Sequence, residues 1–406
     1  MSRALQDIVV VDLTTEFWAS MAASMLGDFG ARVIRVEDLS ATPRDPDRDG
    51  HHPPEAAFDA EAELIHRNKQ SIALDLSHPD DQTILKQLVG RADVFLTDWP
   101  FAAIEERGWG YEDLIAEKPN LIYARGSGFG PEGPDRDLPA LDELAAARTG
   151  VMPSLPEPDQ PPVFAASGQM YTMVMLALGI VTALYHRDET GEGQIVDASL
   201  LGGNMYAATL TLDAFMAMRD DRLGEPRPRF GAANPMSGIS YPSADGRWVT
   251  LTMPDTDRWW PAFSAIVGLE VDDERFDSHE KRCGESRLEM MQVLEELFAK
   301  HPASHWRAEF DAKKLSADII EKYDYPARDP QAKVNRYVLD LDHPSYGSFQ
   351  SLGFPIHMSD TPARLRAMAP CRGQHTAEVL DELLGWSDAR ILEREQKEGG
   401  AGGEAA

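Results

Sequence analysis

A chain of 406 residues with 43% hydrophobic content can bury a large core, and its length suits two unequal domains better than one. Its 39 Lys and Arg stand against 68 Asp and Glu, a net charge of −29, so the surface field repels polyanions and excludes nucleic acid as a partner. Two cysteines, Cys283 and Cys371, exclude a disulfide framework and a cysteine metal site and fit a reducing cytoplasm, and the amino-terminal residues lack an apolar signal-peptide stretch.

Residues 8–11, Ile-Val-Val-Val, form a β-branched run, followed by a small-residue helix over about 18–29 and a second strand, Val33-Ile34-Arg35-Val36-Glu37. Further strand-like runs at 71–74, 94–96 and 121–123 alternate with helical stretches such as 80–90, which predicts an α/β fold with a parallel sheet covered by helices. A Pro- and acid-rich loop at 153–162 leads into a long helix over 168–186. The apolar run at 173–185 falls short of the roughly 20 residues that span a bilayer, so a buried helix is expected and a membrane is not.

Beyond Pro226, Asp245-Gly246 between two strand-like runs predicts a hairpin, and helical stretches over 286–310 would pack on it as a small α+β domain. The chain from 329 reads as irregular up to a last helix near Thr376. The expected domains are therefore a large one over 1–205, a linker at 206–225, the small domain at 226–328, a linker and return to the large domain at 329–398, and a disordered Gly/Ala/Glu tail at 399–406.

The opening β-α-β unit ending in Glu37 invites comparison with a dinucleotide site. The turn between strand and helix, Thr14-Thr15-Glu16-Phe17-Trp18, has none of the glycines that let a backbone approach pyrophosphate. Gly126-Ser127-Gly128-Phe129-Gly130 has the wrong spacing and leads into a Pro-containing loop. Nicotinamide dinucleotide binding is excluded on those grounds. His51-His52 with Asp45, Asp47 and Asp49 resembles a metal cluster only in composition and reads as a solvated loop; no metal is expected.

Six segments in order carry a family resemblance. They are Met25-Leu26-Gly27-Asp28-Phe29-Gly30-Ala31 entering Val33-Ile34-Arg35-Val36-Glu37; Arg67-Asn68-Lys69-Gln70-Ser71-Ile72-Ala73-Leu74-Asp75-Leu76; Ser127-Gly128-Phe129-Gly130 with Gly133-Pro134; Ala183-Leu184-Tyr185-His186-Arg187; Thr190-Gly191-Glu192-Gly193-Gln194; and Ala369-Pro370 before Gly373-Gln374-His375-Thr376. Together they resemble the class III CoA-transferases, the group of formyl-CoA transferase, carnitine CoA-transferase and α-methylacyl-CoA racemase. The resemblance implies a large Rossmann-like parallel-sheet domain plus a small α+β domain, two subunits interlocked like chain links, and coenzyme A or an acyl-CoA bound as substrate. It implies transfer of CoA from an acyl-CoA to a carboxylic acid through a carboxylate nucleophile, because only an ionised oxygen can attack the thioester and later leave again.

By position, that nucleophile falls on Gln169, a neutral amide that cannot cycle through an anhydride. No Asp or Glu lies between 160 and 185 to replace it. The racemase variant needs a His at a position matched here by Leu141, beside Asp142 and Glu143. The resemblance assigns Arg107 to the CoA diphosphate, with Lys69, Arg67, Arg35, Phe17 and Trp18 as further cofactor contacts; Arg125 completes that cluster or serves as an ion-pair partner. Glu143 matches a carboxylate near the active site, and His375 reads as a turn-fixing residue at a helix start. The methionines of 170–175 read as packing first.

Three functions follow. The chain is a subunit of a heteromeric transferase, as in succinyl-CoA:benzylsuccinate CoA-transferase, whose Asp-bearing paralogue supplies the nucleophile; failing that partner, it forms a homodimer. Or it is a stand-alone acyl-CoA hydrolase, lyase or isomerase using Glu143, Asp142 or Ser167. Or it is a non-catalytic CoA-binding protein.

Overall fold

The computed structural model describes residues 3–41, 58–226 and 228–401. Six strands, β1 (Val9–Leu13), β2 (Arg32–Asp38), β3 (Lys69–Leu74), β4 (Val94–Thr97), β5 (Ile122–Ser127) and β6 (Gln194–Ser199), form a parallel sheet in the order β3-β2-β1-β4-β5-β6. Alternate side chains of β1, β2, β4 and β5 enter opposite cores. Val11, Phe95 and Tyr123 pack on one face with Ile84, Leu88, Val379 and Leu380, while Val10, Val94 and Ile122 pack on the other with Ala22, Leu26, Leu176 and Ile180. Both faces of the central strands being buried explains why β1 and β4 read as continuous apolar runs rather than alternating ones.

The strand order reverses between β1 and β4, which is where open α/β sheets open a crevice at their carboxyl ends. The first helix (Phe17–Asp28) and the long helix (Ser167–Thr190) cover one face; helices Pro79–Arg91 and Thr376–Leu384 cover the other. The long helix has 24 residues and is apolar enough to cross a bilayer by length and composition, longer than the sequence run suggested. Its inner face, Leu176, Ile180, Ala183 and Leu184, is buried on the sheet.

The described parts of Met1–Val151, Phe164–Arg219 and Val334–Ala406 form one compact unit, and those of Met152–Val163 and Asp220–Lys333 form another. The second unit holds an antiparallel sheet of β7 (Ser237–Pro242), β8 (Trp248–Thr252) and β9 (Ala317–Ile320). Gly246, at φ 75°, makes the β7–β8 turn. Tyr241, Phe263, Phe298, Trp306 and Phe310 stack into that unit's core.

Three expectations need correction. Residues 206–225 are not a linker, because helices Leu200–Ala207 and Thr209–Met218 run through most of that span as part of the first unit. The segment beyond 329 is not irregular throughout. It holds a hairpin of β10 (Val338–His343) and β11 (Gly347–Leu352), whose Phe349 and Tyr346 pack on Phe58. Helix Asp388–Ala401 extends over residues 399–401 of the expected tail; the rest of that tail lies outside the described residues, as do His51 and His52.

Candidate functional site

Most polar groups at the carboxyl ends of β1 and β4 are already engaged. Asp98, just past β4, accepts from the Thr15 and Glu16 backbone N–H groups at 2.9 and 2.6 Å and from the Thr15 hydroxyl at 3.1 Å. A protein carboxylate thus sits where a dinucleotide-binding sheet would hold pyrophosphate, which gives a structural reason for the missing glycines. Burial pushes the Asp98 carboxyl up to about 7, with those donors opposing it.

Behind the same turn, the Lys69 ammonium is fully buried. It donates to Asp12 Oδ2 at 2.7 Å, to the Ser20 carbonyl at 2.8 Å and to Ser20 Oγ at 2.8 Å, so all three N–H bonds are used. Burial lowers its pKa and Asp12 partly restores it. Arg67 forms a two-pronged pair with Asp28, donates to the Leu352 carbonyl at 2.6 Å and lies over the Phe354 ring. Trp18 is 2% exposed and lies against Gly126, where a Cβ would collide with its ring. These placements correct the expected cofactor roles: Lys69 and Arg67 offer no donor without breaking an internal pair, and the Trp18 ring is packed into the core, its Nε1 buried without a hydrogen-bond partner.

The remaining assigned contacts keep some access. Arg35 pairs with Glu37 at 3.2 Å, its side chain 23% exposed, and burial lowers its pKa. Phe17 is half-buried against the sheet core. Arg107 is half-buried at the end of helix Phe101–Glu106, donating to the Ala103 carbonyl at 3.2 Å and lying over Trp99 and Trp109. No described contact joins Arg107 to Arg35. Arg125 pairs with Asp197 at 3.0 Å and stacks on Phe101, the ion-pair role of its two readings. His375 Nδ1 accepts from the Ser71 N–H at 3.1 Å, consistent with the turn-fixing reading.

Gln169 lies in the first turn of the long helix, half-buried, and its amide has no hydrogen-bond partner among the described residues. The helix starts from Ala166 in the left-handed region, at φ 50° and ψ 32°, with no side-chain cap. A non-glycine there costs roughly 1 kcal/mol, and it turns the chain abruptly into the helix. Gly168 and Gly203 allow helices Ser167–Thr190 and Leu200–Ala207 to approach closely: a Cβ on Gly203 would collide with Thr172, and one on Gly168 with Asn204 and Asp142. Asn204 Nδ2 donates to Asp142 Oδ1 at 2.7 Å and to the Leu200 carbonyl at 3.0 Å.

The carboxylate brought to the amino end of the long helix is therefore Asp142. Its other oxygen, Oδ2, is buried and has no hydrogen-bond partner. Glu143, the residue singled out in the sequence, is exposed. No local spacing could have chosen between the two, because the choice rests on Asn204, 62 residues away. Chemically the site offers an amide at the positive end of a helix, able to donate to a carbonyl or anion, and one carboxylate tethered by Asn204; it holds no ionised oxygen at position 169. Among the described residues no group of His, Cys, Asp and Glu is placed to hold a metal.

The family model for CoA-transferase family III matches residues 5–376. The succinyl-CoA–D-citramalate CoA-transferase of Chloroflexus aurantiacus is 29% identical over 402 residues, covering 95% of both chains. The cinnamoyl-CoA:phenyllactate CoA-transferase of Clostridium sporogenes is 28% identical over 395 residues, covering 96% of this chain and 95% of that one. A CaiB/BaiF family crystal structure from Brucella suis superposes with a TM-score of 0.81 at 25% identity, covering 94% of this chain and all of that one. With the parallel sheet, the small antiparallel unit and an end-to-end family match in hand, the chain belongs to CoA-transferase family III.

Proposed function

We propose that this chain is a subunit of an acyl-CoA:carboxylate CoA-transferase that lacks its own nucleophile, the carboxylate being supplied by an Asp-bearing paralogous chain. The observation that carries this is Gln169 at the start of the long helix, where the reaction requires an ionised oxygen. In the transfer, the partner's carboxylate attacks the acyl-CoA carbonyl and expels CoA thiolate, giving a mixed anhydride. The thiolate then attacks the enzyme-side carbonyl, releasing the donor acid and leaving an enzyme thioester. The acceptor acid repeats both steps in reverse and departs as its CoA ester.

A succinyl-CoA donor fits the name of the Chloroflexus relative. Arg107, Arg35 and Phe17 remain the candidate CoA contacts, since each keeps accessible surface. Two free cysteines fit a cytoplasmic setting. The test is CoA transfer from succinyl-CoA to a panel of carboxylic acids, by the chain alone and mixed with an Asp-bearing paralogue, with hydroxylamine trapping. Transfer and a trapped adduct on the partner's Asp, only in the mixture, support the reading. Transfer by the chain alone overturns it.

The unpartnered Asp142 oxygen favours a second reading, a stand-alone acyl-CoA hydrolase in which Asp142 acts as general base toward water. Thioester hydrolysis by the chain alone, lost in Asp142→Asn but kept in Glu143→Gln, would support it.

A further inference from the structure

Four aspartates are buried among the described residues, and three of them face a cation. Asp12 pairs with Lys69 at 2.7 Å, Asp28 with Arg67 at 2.7 Å and Asp81 with Arg394 at 3.0 Å. Asp98 is the fourth, and no Lys, Arg or His among the described residues forms an ion pair with it. The cations at the neighbouring strand ends are engaged elsewhere: Arg125, in the β5 residue that stands in register with Thr97, pairs with Asp197 at 3.0 Å, and Arg35 pairs with Glu37. On the other side Thr97 is in register with Leu13 of β1, and the charged group that acts on Asp98 from the turn beyond is Glu16, of like sign. The charge of Asp98 is therefore balanced by dipoles alone, the Thr15 and Glu16 N–H groups and the Thr15 hydroxyl. Burial opposes its ionisation and those donors favour it, so the carboxyl is held between its two states.

Asp98 also joins two parts of the crevice that carry candidate CoA contacts. Its donors Thr15 and Glu16 run straight into Phe17, the first residue of the first helix. The residue after it, Trp99, lies beneath the Arg107 guanidinium at 5.3 Å. One side chain thus ties the turn that sets Phe17 to the segment that sets Arg107. The N–H groups it occupies are those that would otherwise face a phosphate at the start of a helix. An ionised Asp98 fills that place and repels further negative charge, whereas a protonated one still accepts N–H bonds through its carbonyl oxygen. We propose that Asp98 is a positioning residue for acyl-CoA, tying the two walls of the crevice together in either state and weakening the phosphate-bearing ligand when it is ionised. The inference rests on the acyl-CoA reading of this chain. With the carboxyl pushed up to about 7, its charge changes across the neutral range, and the crevice binds the anionic ligand more tightly in mild acid than in mild base.

Ligand and proton binding are reciprocal. If ionised Asp98 weakens CoA about tenfold, bound CoA raises the proton affinity of Asp98 by the same factor, and at about pH 7.5 binding draws in about half a proton from solvent.

Calorimetric titration of CoA into the full chain, alone and mixed with the Asp-bearing paralogue, tests this against Asp98→Asn, which keeps an acceptor and lacks the charge. At about pH 8 the variant should bind CoA about tenfold more tightly than the wild type, and at about pH 5.5 the two Kd values should agree. Ionisation of CoA itself is common to both chains and cancels in the ratio. In buffers of different ionisation enthalpy at about pH 7.5, the wild type should take up about half a proton more than the variant. Asp98→Leu, which loses the acceptor as well, should weaken binding at both pH values, a loss that Asp98→Asn does not share. One ratio of wild type to Asp98→Asn at both pH values, equal proton uptake, or tighter binding by the wild type at the higher pH would overturn the proposal. A folded Asp98→Leu chain that binds CoA as well as Asp98→Asn does would overturn the positioning role. Each of these outcomes leaves the acyl-CoA reading standing, whereas CoA binding by none of the chains at either pH overturns that reading and this inference with it.

Discussion

Two neighbourhoods of the same sheet domain treat their polar groups in opposite ways. At the carboxyl ends of β1 and β4, Asp12, Lys69, Ser20, Asp98 and the Thr15 and Glu16 amides satisfy one another completely. At the amino end of the long helix, Gln169 has no partner among the described residues and Asp142 Oδ2 is buried without one. Buried charged groups that are already paired form scaffold, whereas a carboxylate oxygen left unpaired keeps its bonding capacity for another group. Charge and residue type alone point toward the first neighbourhood, whose carboxylates and ammonium are paired although the indole Nε1 of Trp18 is not; the unpaired carboxylate oxygen lies in the second.

The largest expected effect tests the second neighbourhood. If the backbone there is still arranged for a nucleophile, Gln169→Asp should raise thioester turnover by the chain alone about a hundredfold or more, a small part of what losing a nucleophile costs elsewhere. Hydroxylamine trapping on residue 169 should accompany the gain. An unchanged rate in a folded variant would show that more than the amide has been lost.

Next in size is Lys69→Ala, which strands the fully buried Asp12 carboxylate. A loss of about 3–5 kcal/mol in urea unfolding is expected. A loss below about 1 kcal/mol would mean that the ammonium is not scaffold and is free to serve a phosphate.

Asp98 offers a milder test through pH. Its carboxyl sits at about 7 in the folded chain against an ordinary 3.8. Below about pH 4 both states are protonated and its contribution is greatest. As pH rises toward 7 the unfolded chain ionises first, and stability falls by up to about 1.4 kcal/mol per unit. Asp98→Asn should lack this slope, so wild type should lose ground to the variant across that window in urea midpoints. Parallel pH profiles would place the titration elsewhere.

The smallest effect belongs to His375→Ala, which unpairs the Ser71 N–H. About 1 kcal/mol of stability should go, with no change in transfer by a reconstituted pair of subunits. A lost activity at unchanged stability would return His375 to the catalytic candidates.

Much of the architecture was legible because it depends on local pattern. The β-branched runs feeding β1, β2 and β4 and the Asp245-Gly246 turn are short-range signals. The β10–β11 hairpin carries a comparable signal, alternating Val-Leu-Asp-Leu-Asp-His with a glycine at 347. The site was harder to read because its decisive facts are long-range. Lys69 and Arg67 look like surface cations until Asp12, 57 residues away, and Asp28, 39 residues away, are seen to consume them. Asp142 and Glu143 are equivalent in sequence, and Asn204 separates them. That position 169 carries a neutral amide is read from the sequence alone, because the chemistry of a missing charge does not depend on packing.

The outer edge of β3 is finished by the far end of the chain. The Ser71 and Ala73 N–H groups donate to His375 Nδ1 and Thr376 Oγ1, and the His375 N–H donates to the Ser71 carbonyl. During synthesis those partners emerge some 300 residues after the strand, roughly 15–60 s later at ~5–20 residues per second. For that interval the nascent sheet carries an open edge able to capture a strand from another chain. The stretch Asp220–Lys333 is fully translated before the seal arrives. The ribosome-bound chain therefore passes through a stage in which its second unit can close while its first stays adhesive, and fragments ending short of residue 373 should aggregate where the full chain does not.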